Sequence, residues 1–273
     1  MPHHIISLSA ALLYLAAAIL QILSCRRMIA ETGSVARKPM PNKALAVALL
    51  ALLLHMAGLY GSMLSEAGIN LGFYSALSLV SVVIVVLTLI AALRHPIQIM
   101  LIVLLPLAAV TVILNSFTDT HNLIPPESSG MLAFHILTSI VAYSLLALAA
   151  LQAILLSMQN NLLHHHQTDG ILRVMPPLKN MERLLFEIIL SGFTVLTISL
   201  GTGLLFLENM FTQQVAHKTI LSIFAWFIFL ILLIGHWKLG WRGKTATRWT
   251  LGGFISLMLA YFGSKFVLEI ILG

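Results

Sequence analysis

Long apolar runs alternate with short polar clusters along the whole chain. Eight runs stand out, at about 5–24, 43–62, 72–93, 97–115, 132–157, 186–207, 219–239 and 249–271. Each is close to the roughly 20 residues that an α-helix needs to cross a bilayer. The runs are continuous rather than alternating, so they predict helices and not the strands of a membrane barrel. Charge or Pro/Gly clusters separate them: "CRRMIAETGSVARKPMPNK", "SEAGINLG", "RHP", "TDTHNLIPPESSG", "ENMFTQQVAHK" and "KLGWRGKTATR". The longest polar stretch, 158–185, is expected to be a cytoplasmic loop. Its second part, "MPPLKNMERLLF", mixes apolar and charged residues at helical spacing and suits a short interfacial segment. No internal repeat is visible. The expected fold is therefore all-α: one polytopic membrane domain over 1–273 with eight transmembrane helices.

Composition agrees with this and excludes a soluble protein. Of 273 residues, 59% are hydrophobic and only 9% charged, with mean hydropathy +1.00. A soluble domain averages about 25% charged residues. The net charge of +6 needs no nucleic-acid partner, because its distribution has another cause. Arg26, Arg27, Arg37, Lys38 and Lys43 follow the first helix, and Arg94 follows the third. Arg173, Lys179 and Arg183 follow the fifth, and Lys238, Arg242, Lys244 and Arg248 the seventh. Glu66, Asp119, Glu127 and Glu208 lie in the opposite connections, with Lys218 and Lys265 the exceptions at those ends. The positive-inside rule puts the basic connections in the cytoplasm and both termini outside, in the periplasm if the cell is Gram-negative. The "MPHH" start has no Lys or Arg and no clear cleavage site, so it reads as a retained helix rather than a signal peptide. A lone Cys25 excludes an intrachain disulfide.

Ionisable residues inside a bilayer are costly and are functional candidates by default. Three histidines qualify: His55, His135 and His236. His55 lies about 18 Å from the basic end of the second helix, counted at 1.5 Å per residue. His135 sits a few residues inside the outer end of the fifth helix, so the two are a candidate pair at matched depth. His236 lies near the inner end of the seventh. Imidazole is a good axial ligand for haem iron. The alternative is that each histidine hydrogen-bonds across helices to a hydroxyl or a carbonyl.

Other features read more plainly. "HHH", His164–His166, lacks accompanying carboxylates or cysteines and is not expected to close a metal site. Thr197 with Gly201, and Ser199 with Gly203, have the spacing of close helix contacts. Arg183–Glu187 and Lys265–Glu269 are four apart and are expected to pair. Trp237 and Trp241, also four apart, suit an interfacial belt on one helix face. Pro106 alone interrupts the middle of a run, too little to mark a transport site. No phosphate loop, nucleophile triad or carboxylate pair emerges, so the residues assign no enzyme activity.

Several segments carry a resemblance. They are "MPPLKNMERLLFEIILSGFTVLTISLGTGLLF", "AWFIFLILLIGHWKLGWRG" and "LAYFGSKF", with "MLAFHILTSIVAYSLLAL" ahead of them. "LLHMAGLYGSML" and "INLGFYSALSLVS" extend the likeness over nearly the whole chain. The sequence resembles the cytochrome c assembly family, with its CcsA-type haem handlers and HemX-like proteins, and within it the short YpjD-type inner-membrane branch. The resemblance implies that His135 matches the family's external haem ligand and His236 its ligand within the membrane. It implies haem b, held non-covalently. Two departures bear on activity. The Trp-rich "WWD" segment of the synthase branches is replaced here by "ENMFTQQVAHKTILSIFAW", and no histidine follows the last helix before "VLEIILG". His55 is then the candidate partner of His135. A haem-handling protein that does not itself attach haem is expected, acting in the lipid bilayer with haem-biosynthesis or cytochrome-assembly proteins as partners. The rivals are a cofactor-free accessory or scaffold subunit and a transporter of another small molecule.

Overall fold

The computed structural model describes residues 2–30, 42–65, 68–93, 97–118, 123–124, 130–165, 172, 175–206 and 216–263. The helices are α1 (Pro2–Ala30), α2 (Asn42–Met63), α3 (Phe73–Ala92), α4 (Gln98–Phe117), α5 (Gly130–His164), α6 (Leu178–Phe206), α7 (Ala216–Leu239) and α8 (Gly243–Met258), which runs on into a π-helical turn at Leu259–Gly263. Strands were not expected, yet three short ones pair among the connections: β1 (Leu64–Ser65), β2 (Gly68–Asn70) and β3 (Leu123–Ile124), antiparallel in the order β1-β2-β3. They tie together two polar linkers whose backbone groups need partners. The class remains all-α.

Among the described residues, seven helices, α1 to α7, are long and apolar enough to cross a membrane. The expected eighth, α8, has 16 regular residues, with Lys244 and Arg248 in its first two turns. The loop expected over 158–185 is helical at both ends, because α5 continues to His164 and α6 already begins at Leu178. The "MPPLKNMERLLF" segment is thus continuous with α6. Pro176 and Pro177 stand just before the helix, where a missing N–H costs nothing. The Pro177 carbonyl accepts from the N–H groups of Asn180 and Met181.

Contacts sort into two compact units, Met1–Pro126 with Leu162–Pro176, and Glu127–Asn161 with Pro177–Gly273. In the first, α1 packs on α2 and α4, and α3 on α2 and α4. Lipid gives apolar helices no reason to associate, so such packing relies on close approach and internal hydrogen bonds. Both are present. Ala10, Ala11, Ala17 and Ala18 of α1 and Ala44, Ala48 and Ala51 of α2 are buried. A Cβ at Gly58 would stand 2.7 Å from the Ser7 hydroxyl. Ser75 donates to Asn115 Oδ1 at 3.0 Å, and Ser81 and Thr111 share a 2.7 Å bond.

In the second unit, α6 touches α5 through Gly192, where a Cβ would meet Leu146 at 2.8 Å. Gly253 of α8 lies equally close to Phe229 of α7. Gly201, expected at a close contact, has open space where its Cβ would be. Thr197 at that level instead accepts a 2.9 Å bond from Trp226 Nε1 of α7. Removing the acceptor in Thr197→Val is expected to cost about 0.6 kcal/mol, typical of one interhelical bond in a membrane. A small drop in the unfolding midpoint in detergent would register it.

Candidate functional site

His236 occupies the last turn of α7. Beyond it the chain reverses through "GWRG", and both glycines of that motif are left-handed, with φ +67° at Gly240 and +56° at Gly243. The Gly240 N–H donates to the His236 carbonyl at 3.2 Å, a five-residue helix stop of the left-handed type. The Trp241 N–H reaches the Gly235 carbonyl at 3.1 Å. Trp241 is therefore not on one face of α7 with Trp237. Its indole folds back over the helix end, and a Cβ on Gly235 would lie 2.4 Å from it. Trp249 of α8 packs against that indole, with ring centres 5.3 Å apart.

This turn delivers a backbone carbonyl to the histidine. His236 Nδ1 lies 2.9 Å from the Trp241 carbonyl, which can only accept, so the proton is on Nδ1. Nε2 makes no hydrogen bond among the described residues. Phe186 of α6 lies flat against the imidazole, with ring centres 3.5 Å apart and planes 14° from parallel. The ring is thus held in position and in tautomer. His236 lines a partly open groove of about 480 Å³ between α6 and α7. Phe186, Leu190 and Leu233 supply apolar wall, and Lys179, Arg183 and Arg242 add cations. The expected Arg183–Glu187 pair forms at 3.6 Å, exposed and so of little energetic weight.

His135 repeats the arrangement elsewhere in the same unit. Its Nδ1 donates to the Ser199 carbonyl of α6 at 2.9 Å, with Thr202 Oγ1 at 3.4 Å. Nε2 has only Ser139 Oγ, at 3.5 Å, and that hydroxyl makes 2.7 Å contacts with the His135 carbonyl and Ser199 Oγ. Both histidines lean on α6, at Phe186 and at Ser199. Thirteen residues separate those contacts, about 20 Å of helix rise. The same thirteen residues turn the helix by about 220° beyond whole turns, so the two sites lie on different faces of α6.

His55 differs. It is buried among α1, α2 and α3, with Nδ1 at 3.2 Å from the Tyr14 hydroxyl and Nε2 at 2.8 Å from Ser78 Oγ. Both ring nitrogens are engaged. A serine hydroxyl on a histidine nitrogen has the geometry of an activated nucleophile. Here all three side chains are 0–2% exposed, and no substrate reaches them. His55 belongs to the first unit and His135 to the second.

A haem ligand needs an imidazole with a free, basic nitrogen, and a second hydrogen bond that fixes the ring. His236 and His135 meet that requirement. The groove beside His236 also falls in the range of about 300–1,000 Å³ usual for small-ligand sites. Haem is thus compatible with the residues at these two positions, and less so with those around His55. The sequence reading missed Phe186, Trp241 and Glu182 as surroundings of His236, and Ser199 as a partner of His135. Glycine on both sides of Trp241-Arg242 was the signal for the reversal. The Phe186 stack had none. His164 ends α5, His165 follows in a turn, and His166 lies outside the described residues, as do His95, His121, Lys265, Glu269 and the 207–215 segment.

These features define a multi-pass helical membrane protein with two separately anchored imidazoles along one helix. The family model described as Cytochrome C assembly protein matches residues 44–272, and the chain belongs to that family. It is 33% identical over 235 residues to "Inner membrane protein YpjD" of Escherichia coli (strain K12), covering 84% of this chain and 87% of that one. It is also 33% identical over 141 residues to an "Uncharacterized 28.8 kDa protein in nifR3-like 5'region" of Azospirillum brasilense, covering 51% and 52%. No solved structure matches. The chain is a multi-pass inner-membrane protein.

Proposed function

We propose that this protein binds haem b non-covalently and passes it between His236 on the cytoplasmic side and His135 on the outer side of the inner membrane. The observation that carries this is the shared anchoring of the two rings. Each gives its Nδ1 proton to a backbone carbonyl, which leaves Nε2 as the nitrogen to meet a ligand. A histidine kept only for packing gains most when both nitrogens are bonded, as in His55. Bound haem would supply an iron centre that His236 would hold through Nε2 at one site and His135 at the other. The topology belongs to the same reading: eight spans, with both termini outside.

Attachment of haem to an apocytochrome is not part of the proposal, because the sequence lacks the Trp-rich segment of the synthase branches. Handing haem to a cytochrome-assembly or haem-biosynthesis partner is the role that remains. Purification in mild detergent and absorption spectroscopy, oxidised and reduced, tests it. A Soret band is expected after isolation or after adding haemin. His135→Ala and His236→Ala are each expected to weaken haemin binding at least tenfold, the lower end of what lost metal-site contacts cost. A protein that stays colourless and takes up no haemin overturns the proposal and leaves the cofactor-free scaffold.

A further inference from the structure

Helix α8 begins at Gly243 without help from its own N-cap. Arg242 holds the N-cap position in extended backbone and makes no side-chain capping bond. The first N–H groups of any helix lack internal partners and carry the positive end of its dipole. One of them is satisfied from another helix. Glu182 of α6 accepts the Gly243 N–H at Oε1, 3.1 Å away. A carboxylate there meets both the open donor and the dipole.

The same turn holds His236. Gly240 ends α7, Trp241 gives its carbonyl to His236 Nδ1, and Gly243 starts α8 on Glu182, all within four residues. Gly243 is in the left-handed region, which glycine enters without steric cost, so its own backbone does not fix the turn. Glu182 fixes the far end of the turn to the helix that also supplies Phe186, the aromatic wall against the imidazole. One helix thus holds His236 twice, directly through Phe186 and indirectly through Glu182.

We infer that Glu182 is a positioning residue for His236. By capping α8 it locks the Gly240–Gly243 turn, and the locked turn keeps the imidazole in its Nδ1–H form with Nε2 available to a ligand in the groove. The inference rests on His236 being a ligand-bearing residue, but its consequence is present in the haem-free protein and is read there.

The test is histidine tautomer state by ¹⁵N NMR of the haem-free protein in detergent, with the His236 signals identified by their loss in His236→Ala. Wild type is expected to show a protonated Nδ1 and an unprotonated Nε2. Glu182→Ala is expected to shift the tautomer ratio about fivefold toward Nε2–H, the size set by one weakened hydrogen bond. Glu182→Gln retains an acceptor oxygen at the same reach and is expected to stay near wild type. If the alanine variant does not fold, Glu182→Asp carries the test, since it keeps the charge and falls one methylene short. Unchanged His236 signals in Glu182→Ala, or in Glu182→Asp where that variant takes its place, overturn the inference. So does a shift in Glu182→Gln as large as that in Glu182→Ala. The haem reading is judged separately by the haemin titrations.

Discussion

Replacing Gly235 by valine is expected to lower the unfolding midpoint clearly and to weaken haemin binding about tenfold or more. The reason is space. An ideal Cβ on Gly235 stands 2.4, 2.5 and 2.9 Å from three indole carbons of Trp241. Those atoms are a rigid ring, not the end of a flexible chain. The ring is also confined by Trp249, and its own backbone N–H is bonded to Gly235. It cannot tilt away locally, so the turn must open. Overpacking of this kind costs roughly 1–3 kcal/mol. Opening the turn also takes the Trp241 carbonyl away from His236 Nδ1. Lost contacts to the second nitrogen of a ligating histidine usually cost about 10–100-fold in affinity. Thermal unfolding in detergent and a haemin titration read the two effects, with Gly252→Ala as control because its Cβ would meet nothing within 4 Å. A valine variant as stable and as tight as wild type would show that Trp241 does not lie over Gly235.

The same nine residues, "GHWKLGWRG", show what the sequence holds and what it does not. Hydropathy and charge located the end of α7 to within a residue, and His236 as an imidazole inside it. They did not locate Trp241. Counting four residues from Trp237 to Trp241 assumes that the helix continues, whereas it ends at Leu239 and Gly240 turns left-handed. Glycine is the residue that allows such a turn, but its presence does not say that the turn occurs. Hence the indole was placed on a helix face, and the carbonyl that anchors His236 was invisible. Glu182 was invisible for a different reason: its bond to Gly243 spans 61 positions, and no local pattern records a pairing of that length. Polar linkers misled in the other direction. "QNNLLH" reads as loop by composition, yet α5 runs through it, because Gln and Leu are good helix formers and no Gly or Pro interrupts them. The separation of His135 from His236 along the helices was legible because it depends only on rise per residue. The two rings contact opposite halves of α6, at Ser199 and Phe186.

His55 gives the second large effect, and it separates packing from ligation. His55→Leu keeps the volume and removes both hydrogen bonds. Ser78 can recover, since serines in these helices readily bond the carbonyl four residues back, as Ser144 does to Ile140. Tyr14 cannot. Its hydroxyl is 0% exposed, and the His55 ring is the partner it loses. A buried donor left unsatisfied costs about 1–3 kcal/mol, so the variant is expected to lose roughly that much stability. Adding Tyr14→Phe to His55→Leu removes the stranded hydroxyl and is expected to restore about half of the loss. That recovery is non-additivity between residues in contact, which a double-mutant cycle measures. Haemin binding is expected to stay within about twofold of wild type, because no ring nitrogen of His55 is free to serve as a ligand. The opposite pattern, stability kept and the Soret band lost, would make His55 an iron ligand that releases Tyr14 or Ser78 when haem arrives. The pairing of His55 with His135 expected from matched depth would then be the correct one, and the anchoring of a second nitrogen would no longer identify the ligands.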